Sequence, residues 1–305
     1  MIRSSRLSRL VVGALLSSLV ACDDTDNKGW LVDRTRVLGA RIEAKAEPGR
    51  AAITPGEAMH VTWLVGAPNG TGHLNWAYAL CPPVGGNFPE PKCTGPIFSA
   101  ARGASDGELV GMDIDAPNGI DDLEELQLLA AFCDGGEATL DAARFDATCA
   151  GGAPPRLASA SVRLARSGPN HNPEIAGDAV LWDGAPLTSA AVPPGASCVA
   201  DATSPIVTAG SKHKIVVRLS GNEREVIPSQ GLERLLVSHV VTSGELERQY
   251  SMLEPNDPTP KDLSVEWTAP GRESVGDGRL TEIYVVVRDG RGGEAFARRT
   301  VCVRQ

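Results

Sequence analysis

The chain has 305 residues and a formal charge of −9 at neutral pH, and its 42% hydrophobic content is enough to build packed cores rather than a disordered stalk. So acidic a chain repels phosphate backbones, which argues against nucleic acid as a partner, and it gains nothing electrostatically from an anionic membrane surface. With 33 glycines and 22 prolines, it favours many turns and short strands over long helices.

In chain order, Arg3, Arg6 and Arg9 precede an apolar run from Leu10 to Val20, interrupted only by Ser17 and Ser18. A basic n-region, a short h-region and a small-residue cleavage site predict a secretory signal over residues 1–21, too short for a stable membrane span. Its Leu19-Val20-Ala21-Cys22 ending resembles a bacterial lipobox. That resemblance implies cleavage before Cys22, with a diacylglycerol and a further acyl chain such as palmitate on Cys22, and it makes the lipid the expected link to the membrane. At ~0.8 kcal/mol per buried methylene, several acyl chains anchor a protein durably. No cofactor beyond this covalent lipid is expected. The location is extracytoplasmic. Asp23 and Asp24 resemble a retention signal of enteric lipoproteins, but other lineages sort differently, so inner versus outer membrane stays open.

Residues 22–29 are polar and expected as a lipidated tether. Strand-like alternation begins at Leu38, Ala40, Ile42 and Ala44, and continues at Met59, Val61, Trp63 and Val65. Trp63 and Trp267 have core parity, and Trp76 is expected to open a strand. Ala160, Val162 and Leu164 form another strand face. Ala138–Ala147 is the one stretch with helical promise. Ser167-Gly168-Pro169-Asn170-His171-Asn172-Pro173 carries the turn residues of a mobile linker. Beyond it, strands are expected at Lys214–Leu219, Leu235–Thr242, Leu263–Thr268, Ile283–Val287 and Phe296–Val303.

The two halves match each other. Thr54-Pro55-Gly56 corresponds to Thr208-Ala209-Gly210, each leading into a strand. Val110, Met112 and Ile114 before Ala116-Pro117 correspond to Leu263, Val265 and Trp267 before Ala269-Pro270. Leu128, Ala130 and Phe132 before Asp134-Gly135 correspond to Ile283, Val285 and Val287 before Asp289-Gly290. Matches in the same order at nearly equal spacing predict a duplicated β-rich domain. The expected division is a sandwich at 30–166, a linker at 167–173 and a sandwich at 174–305. Short strands with Gly/Pro turns point to antiparallel sandwiches, all-β in class. The tail from Ile283 to Val303, a buried strand, a glycine-rich turn through Arg291-Gly292-Gly293 and a returning strand, resembles the closing hairpin of bacterial Ig-like and PKD-like domains. The whole chain resembles lipoproteins of GC-rich Gram-negative bacteria. Together these imply a lipoprotein with tandem Ig-like sandwiches.

Apart from Cys22, the cysteines are Cys81, Cys93, Cys133, Cys149, Cys198 and Cys302. An even number in an exported chain reads as disulfides. Spacing favours Cys81–Cys93, Cys133–Cys149 and Cys198–Cys302, although sequence alone leaves other connectivities open. No CxxC or adjacent histidine suggests a zinc site.

No GxSxG, HExxH, P-loop or helix-opening GxGxxG occurs. The histidines, His60, His73, His171, His213 and His239, have no paired metal spacing, and His60, His213 and His239, which fall in predicted strands, are expected to be solvent-facing or satisfied strand residues. Asp113, Asp115 and Glu124 fall at the first, third and twelfth positions of an EF-hand-like loop. Pro117 and the displaced Gly119 break that pattern where the backbone must turn, so the expectation is no metal, with these three as the only calcium candidates. The sequence therefore predicts a non-enzymatic envelope protein with a binding or scaffolding role toward a protein or glycan ligand. The alternative is an envelope hydrolase or carbohydrate-processing protein with a site on the loops of the first half, where Cys81–Cys93 and Cys133–Cys149 lie.

Overall fold

The computed structural model describes residues 28–84, 91–188, 198, 204–221, 224–227 and 231–305. The signal 1–21, Cys22 and most of the tether lie outside the described residues. Among those residues no helix is long and apolar enough to cross a membrane.

Alternating burial along its strands makes the first half a sandwich. Its strands are β1 (Arg36–Ala44), β2 (Ala58–Gly66), β3 (His73–Cys81), β4 (Ser99–Asp106), β5 (Leu109–Asp115), β6 (Glu125–Cys133), β7 (Ala138–Asp141), β8 (Asp146–Cys149) and β9 (Arg156–Arg163). The order β1-β2-β5 makes one sheet, β4-β3-β6-β9 the other, and β7-β8 is a separate hairpin. Period-two burial is clearest in β5, where Val110, Met112 and Ile114 are buried and their neighbours exposed. These side chains join Ile42, Met59, Val61, Leu126 and Leu128 around Trp63, whose ring meets Phe132 edge-on at 5.6 Å.

The second half contains β10 (Val180–Trp182), β11 (Ala185–Pro186), β12 (Ile206–Thr208), β13 (Lys212–Leu219), β14 (Val226–Ile227), β15 (Gly231–Leu232), β16 (Leu235–Val241), β17 (Glu245–Leu246), β18 (Tyr250–Leu253), β19 (Lys261–Thr268), β20 (Arg279–Arg288) and β21 (Glu294–Arg304). Its sheets run β11-β10-β13-β19-β17 and β12-β21-β20-β16-β18, with β14-β15 as a small hairpin. Strand order corresponds between the halves: β1-β2-β5 to β10-β13-β19, and β4-β3-β6-β9 to β18-β16-β20-β21. The turns correspond too. Gly56, at φ 79°, donates its N–H to Pro117 O, and Gly210, at φ 78°, donates to Pro270 O, each at 3.1 Å. Positive φ at both is a conformation glycine adopts without the Cβ penalty.

Three expectations are corrected. Ala138–Ala147 is not helical: it forms β7 and a turn into β8. Asp141 accepts the backbone N–H groups of Ala143 and Arg144, and Phe145 turns through φ 52°. Helix-favouring alanines yield there to cross-strand pairing and to the Cys133–Cys149 bond that joins the hairpin to β6. Trp30–Val32, expected at the start of the first sandwich, pairs instead with the second: Leu31 bridges Val241 in parallel. Trp30 then packs on the second core. The segment 167–173 is not a mobile linker, because Asn170 and Asn172 are buried and bonded to both halves.

Candidate ligand-binding cleft between the sandwiches

The contact between the halves is built on the outer edge of β1. Edge strands expose unpaired backbone groups, and here side chains of the second half satisfy them. Arg288 donates to Leu38 O at 2.6 Å, and Ala40 N–H donates to Glu294 Oε1 at 3.1 Å. Asn172 Nδ2 donates to Ile42 O at 2.8 Å, while its Oδ1 accepts the Glu294 N–H at 2.8 Å. The Glu294 carboxylate also takes Arg288 Nε at 3.0 Å. Gly39 makes this approach feasible, since a Cβ there would lie 1.7 Å from Glu294 Oε1. Nearby, Asn170 Nδ2 donates to Asp289 Oδ2 at 2.9 Å, and Asp289 Oδ1 accepts the N–H groups of Arg291 and Gly293 that shape the Asp-Gly turn.

A second contact is apolar. Val32, Leu64, Val240, Tyr284 and Val286 form a buried cluster spanning both halves. Its polar margin is Arg298, which reaches Glu108 at 3.2 Å and Glu282 at 2.5 Å, with the Tyr284 hydroxyl donating to Glu282. Burial raises the Glu294 carboxyl to about 7, against the pull of Arg288 and the Ala40 N–H. Burial also raises Asp289 and Glu108, the latter against the attraction of Arg298.

Beside the β1 contact lies a cleft of about 480 Å³. Its walls are β1 from Val37 to Ala40, β9 from Leu157 to Ser161, and the β20–β21 hairpin from Gly290 to Glu294. Trp63 lines it, only 1% exposed, and its Nε1 has no hydrogen-bond partner among the described residues. The charged groups of the wall are already paired, Arg163 with Glu125 and Arg288 with Glu294.

The six cysteines form Cys81–Cys93, Cys133–Cys149 and Cys198–Cys302, a framework suited to an oxidising, extracytoplasmic compartment. The calcium candidates are not gathered into a site. Asp113 lies on the outer face of β5, bonded to His60 at 2.7 Å and Lys45 at 3.0 Å; Asp115 and Glu124 are exposed. Among the described residues no group of three or more His, Cys, Asp or Glu side chains could hold a metal ion. His73 pairs with Asp106, and His171 pairs with Glu225. His239 is buried, bonded through Nε2 to Ser251, and its burial lowers it to about 4.

One arrangement had no signal in the sequence. Ser211 Oγ lies 2.7 Å from His213 Nε2, and His213 Nδ1 lies 2.7 Å from Asp183 Oδ2. The order resembles a hydrolytic triad, but the surroundings fit a pin. The Ser211 hydroxyl has a second acceptor, Thr208 O, at 2.6 Å, and His213 stacks on Trp182 at 4.8 Å. Asp183, at φ 49° in the β10–β11 turn, also accepts the Lys214 N–H at 2.8 Å. Burial works against its charge, yet the His213 and Lys214 bonds hold its carboxyl below the ordinary range. The chain thus fastens the β10–β11 turn to β13.

No family model matches the chain, and no curated protein matches it. Several solved structures show a distant likeness to the chain. Red sea bream transglutaminase has 11% identity and a TM-score of 0.25, covering 91% of this chain and 32% of its own. Alpha-2-macroglobulin of E. coli, in its native conformation, gives 11% identity and a TM-score of 0.25, covering 88% and 17%. The calcium-binding domain CBD12 of CALX1.1 gives 9% identity and a TM-score of 0.21, covering 82% and 80%. The chain spans about a third of the transglutaminase and under a fifth of the macroglobulin. Likeness this distant carries no argument about activity, so function rests on the chain's own residues.

Proposed function

We propose that this protein is a lipid-anchored, extracytoplasmic binding or scaffolding module without catalytic activity of its own. The observation that carries the reading is the buried junction. Asn172 is bonded at once to β1 and to β21, so the paired sandwiches present surfaces in fixed relation, as a scaffold requires. The Leu19-Val20-Ala21-Cys22 site supplies the anchor, with acyl chains on Cys22. The ligand class is a protein or glycan of the envelope.

The test uses the full chain in intact envelopes. Chemical cross-linking is expected to yield a discrete partner at near-stoichiometric amounts. A fluorophosphonate probe that covalently labelled Ser211 would overturn the non-enzymatic reading, because it requires an activated serine. For the anchor, the expected outcome of Cys22→Ala is loss of fatty-acid label and release from membranes. A Cys22→Ala protein that still carried label and sedimented with membranes would remove the anchor from the proposal.

A further inference from the structure

The cleft beside Trp63 has a directional property that its volume does not express. β9 is the outermost strand of its sheet, and the one named strand it pairs with is β6. In an antiparallel strand, successive residues direct their backbone groups alternately toward the two neighbours. Leu164 N–H bonds to Glu124 O, on the β6 side. Arg163 O faces the other way, accepting the Ile53 N–H at 2.8 Å. By that alternation Ser161, Ser159 and Leu157 turn their N–H and C=O groups outward, into the cleft. No backbone partner meets them among the described residues.

The same edge is already used once for strand pairing. Ile53 sits beside it as a parallel bridge to Leu164, accepting Ala165 N–H at 2.9 Å as well as donating to Arg163 O. That single residue closes one end of the gap between β1 and β9. Beyond it, the edge from Ser161 to Leu157 continues without a backbone partner among the described residues, across the cleft from the small residues Gly39, Ala40, Gly290, Gly292 and Gly293, of which Gly292 comes near enough that a Cβ there would lie 3.9 Å from Ser161 O. At about 3.3 Å per residue the unpaired stretch is roughly 13 Å long, enough for four or five residues of extended chain. Leu157, 37% exposed, offers an apolar side-chain contact, while Trp63 lies buried beneath the cleft. Because Arg163 and Arg288 are both already bonded to carboxyl groups of this chain, no charged ligand group is called for.

We infer that the cleft takes a short, uncharged, extended peptide, added as a strand to the β9 edge in continuation of Ile53. This deepens the binding reading above and rests on it. Main-chain hydrogen bonds supply affinity, and the contact at Leu157 supplies preference.

The test selects a phage-displayed random heptapeptide library on the full-length protein, then measures the enriched sequences as synthetic peptides by fluorescence anisotropy. Ser159→Pro removes an outward N–H while leaving the β6 ladder untouched, and Ser159→Ala retains it. The expected result is an enriched uncharged peptide that binds the wild type and Ser159→Ala alike, and Ser159→Pro about ten-fold more weakly, as loss of one well-placed hydrogen bond gives. Independently of how Ser159→Pro folds, peptides N-methylated at alternate residues are expected to lose binding to the wild type in one of the two methylation registers. Absence of any enriched peptide overturns the inference, as does equal binding by Ser159→Pro or by both N-methylated forms. If a partner is still cross-linked in envelopes in that case, the binding role stands and only the β9 docking mode fails.

Discussion

Replacing Asn172 by alanine tests the junction most directly. Asn172 is 6% exposed, and its side chain satisfies two backbone groups that belong to different halves, Ile42 O in β1 and Glu294 N–H in β21. Alanine removes both partners at once. A buried backbone group left without a partner costs about 1–3 kcal/mol, so the sum is roughly 2–4 kcal/mol once some water enters the vacated space. Asn172→Asp keeps an acceptor for Glu294 N–H but sets a second oxygen against Ile42 O, and it should be no better. Urea unfolding of the oxidised protein, followed by tryptophan fluorescence, is the assay. Trp63 and Trp267 lie in the two separate cores and so report both halves. The wild type is expected to unfold in one transition, and Asn172→Ala in two, the first at lower urea. A loss under about 0.5 kcal/mol with one unaltered transition would show that segment 167–173 does not couple the sandwiches.

Two buried carboxyls contribute to stability with a pH dependence opposite in sense to ordinary acid denaturation. Glu294 and Glu233 are both raised to about 7 by burial, so the folded chain holds protons that the unfolded chain releases. The contribution is fully present below the ordinary carboxyl range near 4.5 and is lost as pH rises through about 7. For Glu294 the span is on the order of 3 kcal/mol. Glu294→Gln should flatten its share in denaturation series from pH 4.5 to 8; an unchanged slope would refute the assignment. Removing the Cys198–Cys302 bond with the double alanine variant opens a loop of 104 residues, for which the chain-entropy account gives ~4–5 kcal/mol. A denaturation midpoint equal to the wild type would show that the bond does not constrain the unfolded chain.

Much of the architecture is written locally. Val110, Met112 and Ile114 alternate with exposed residues, and Gly56 and Gly210 mark corresponding turns, so pattern alone brings out strands and class. What escapes is whatever depends on distant partners. Trp30–Val32 is too short to carry a period, and its partner Val241 is far along the chain. Asn170 and Asn172 are turn formers by composition, and nothing local shows that another sandwich buries them. Ala138–Ala147 has helical propensity that a disulfide and a hairpin override. The cleft exists only where the edges of β1 and β9 part, a relation set by packing. Ser211, His213 and Asp183 meet because the β10–β11 turn folds over β13, which their spacing does not announce.

The pairing of Leu31 with Val241 also decides how the molecule carries a mechanical load. Lys28, bonded to Glu245, and the strand β21 both sit on the second sandwich. Tension applied between them reaches the parallel clamp first, where Val32 N–H donates to Val241 O and Val241 N–H to Trp30 O, each at 2.8 Å. The chain from Asp33 through the whole first sandwich lies outside that line, like a closed loop shunted across a short circuit. Only when the clamp shears does the slack pass to β1, and the first sandwich then feels the force.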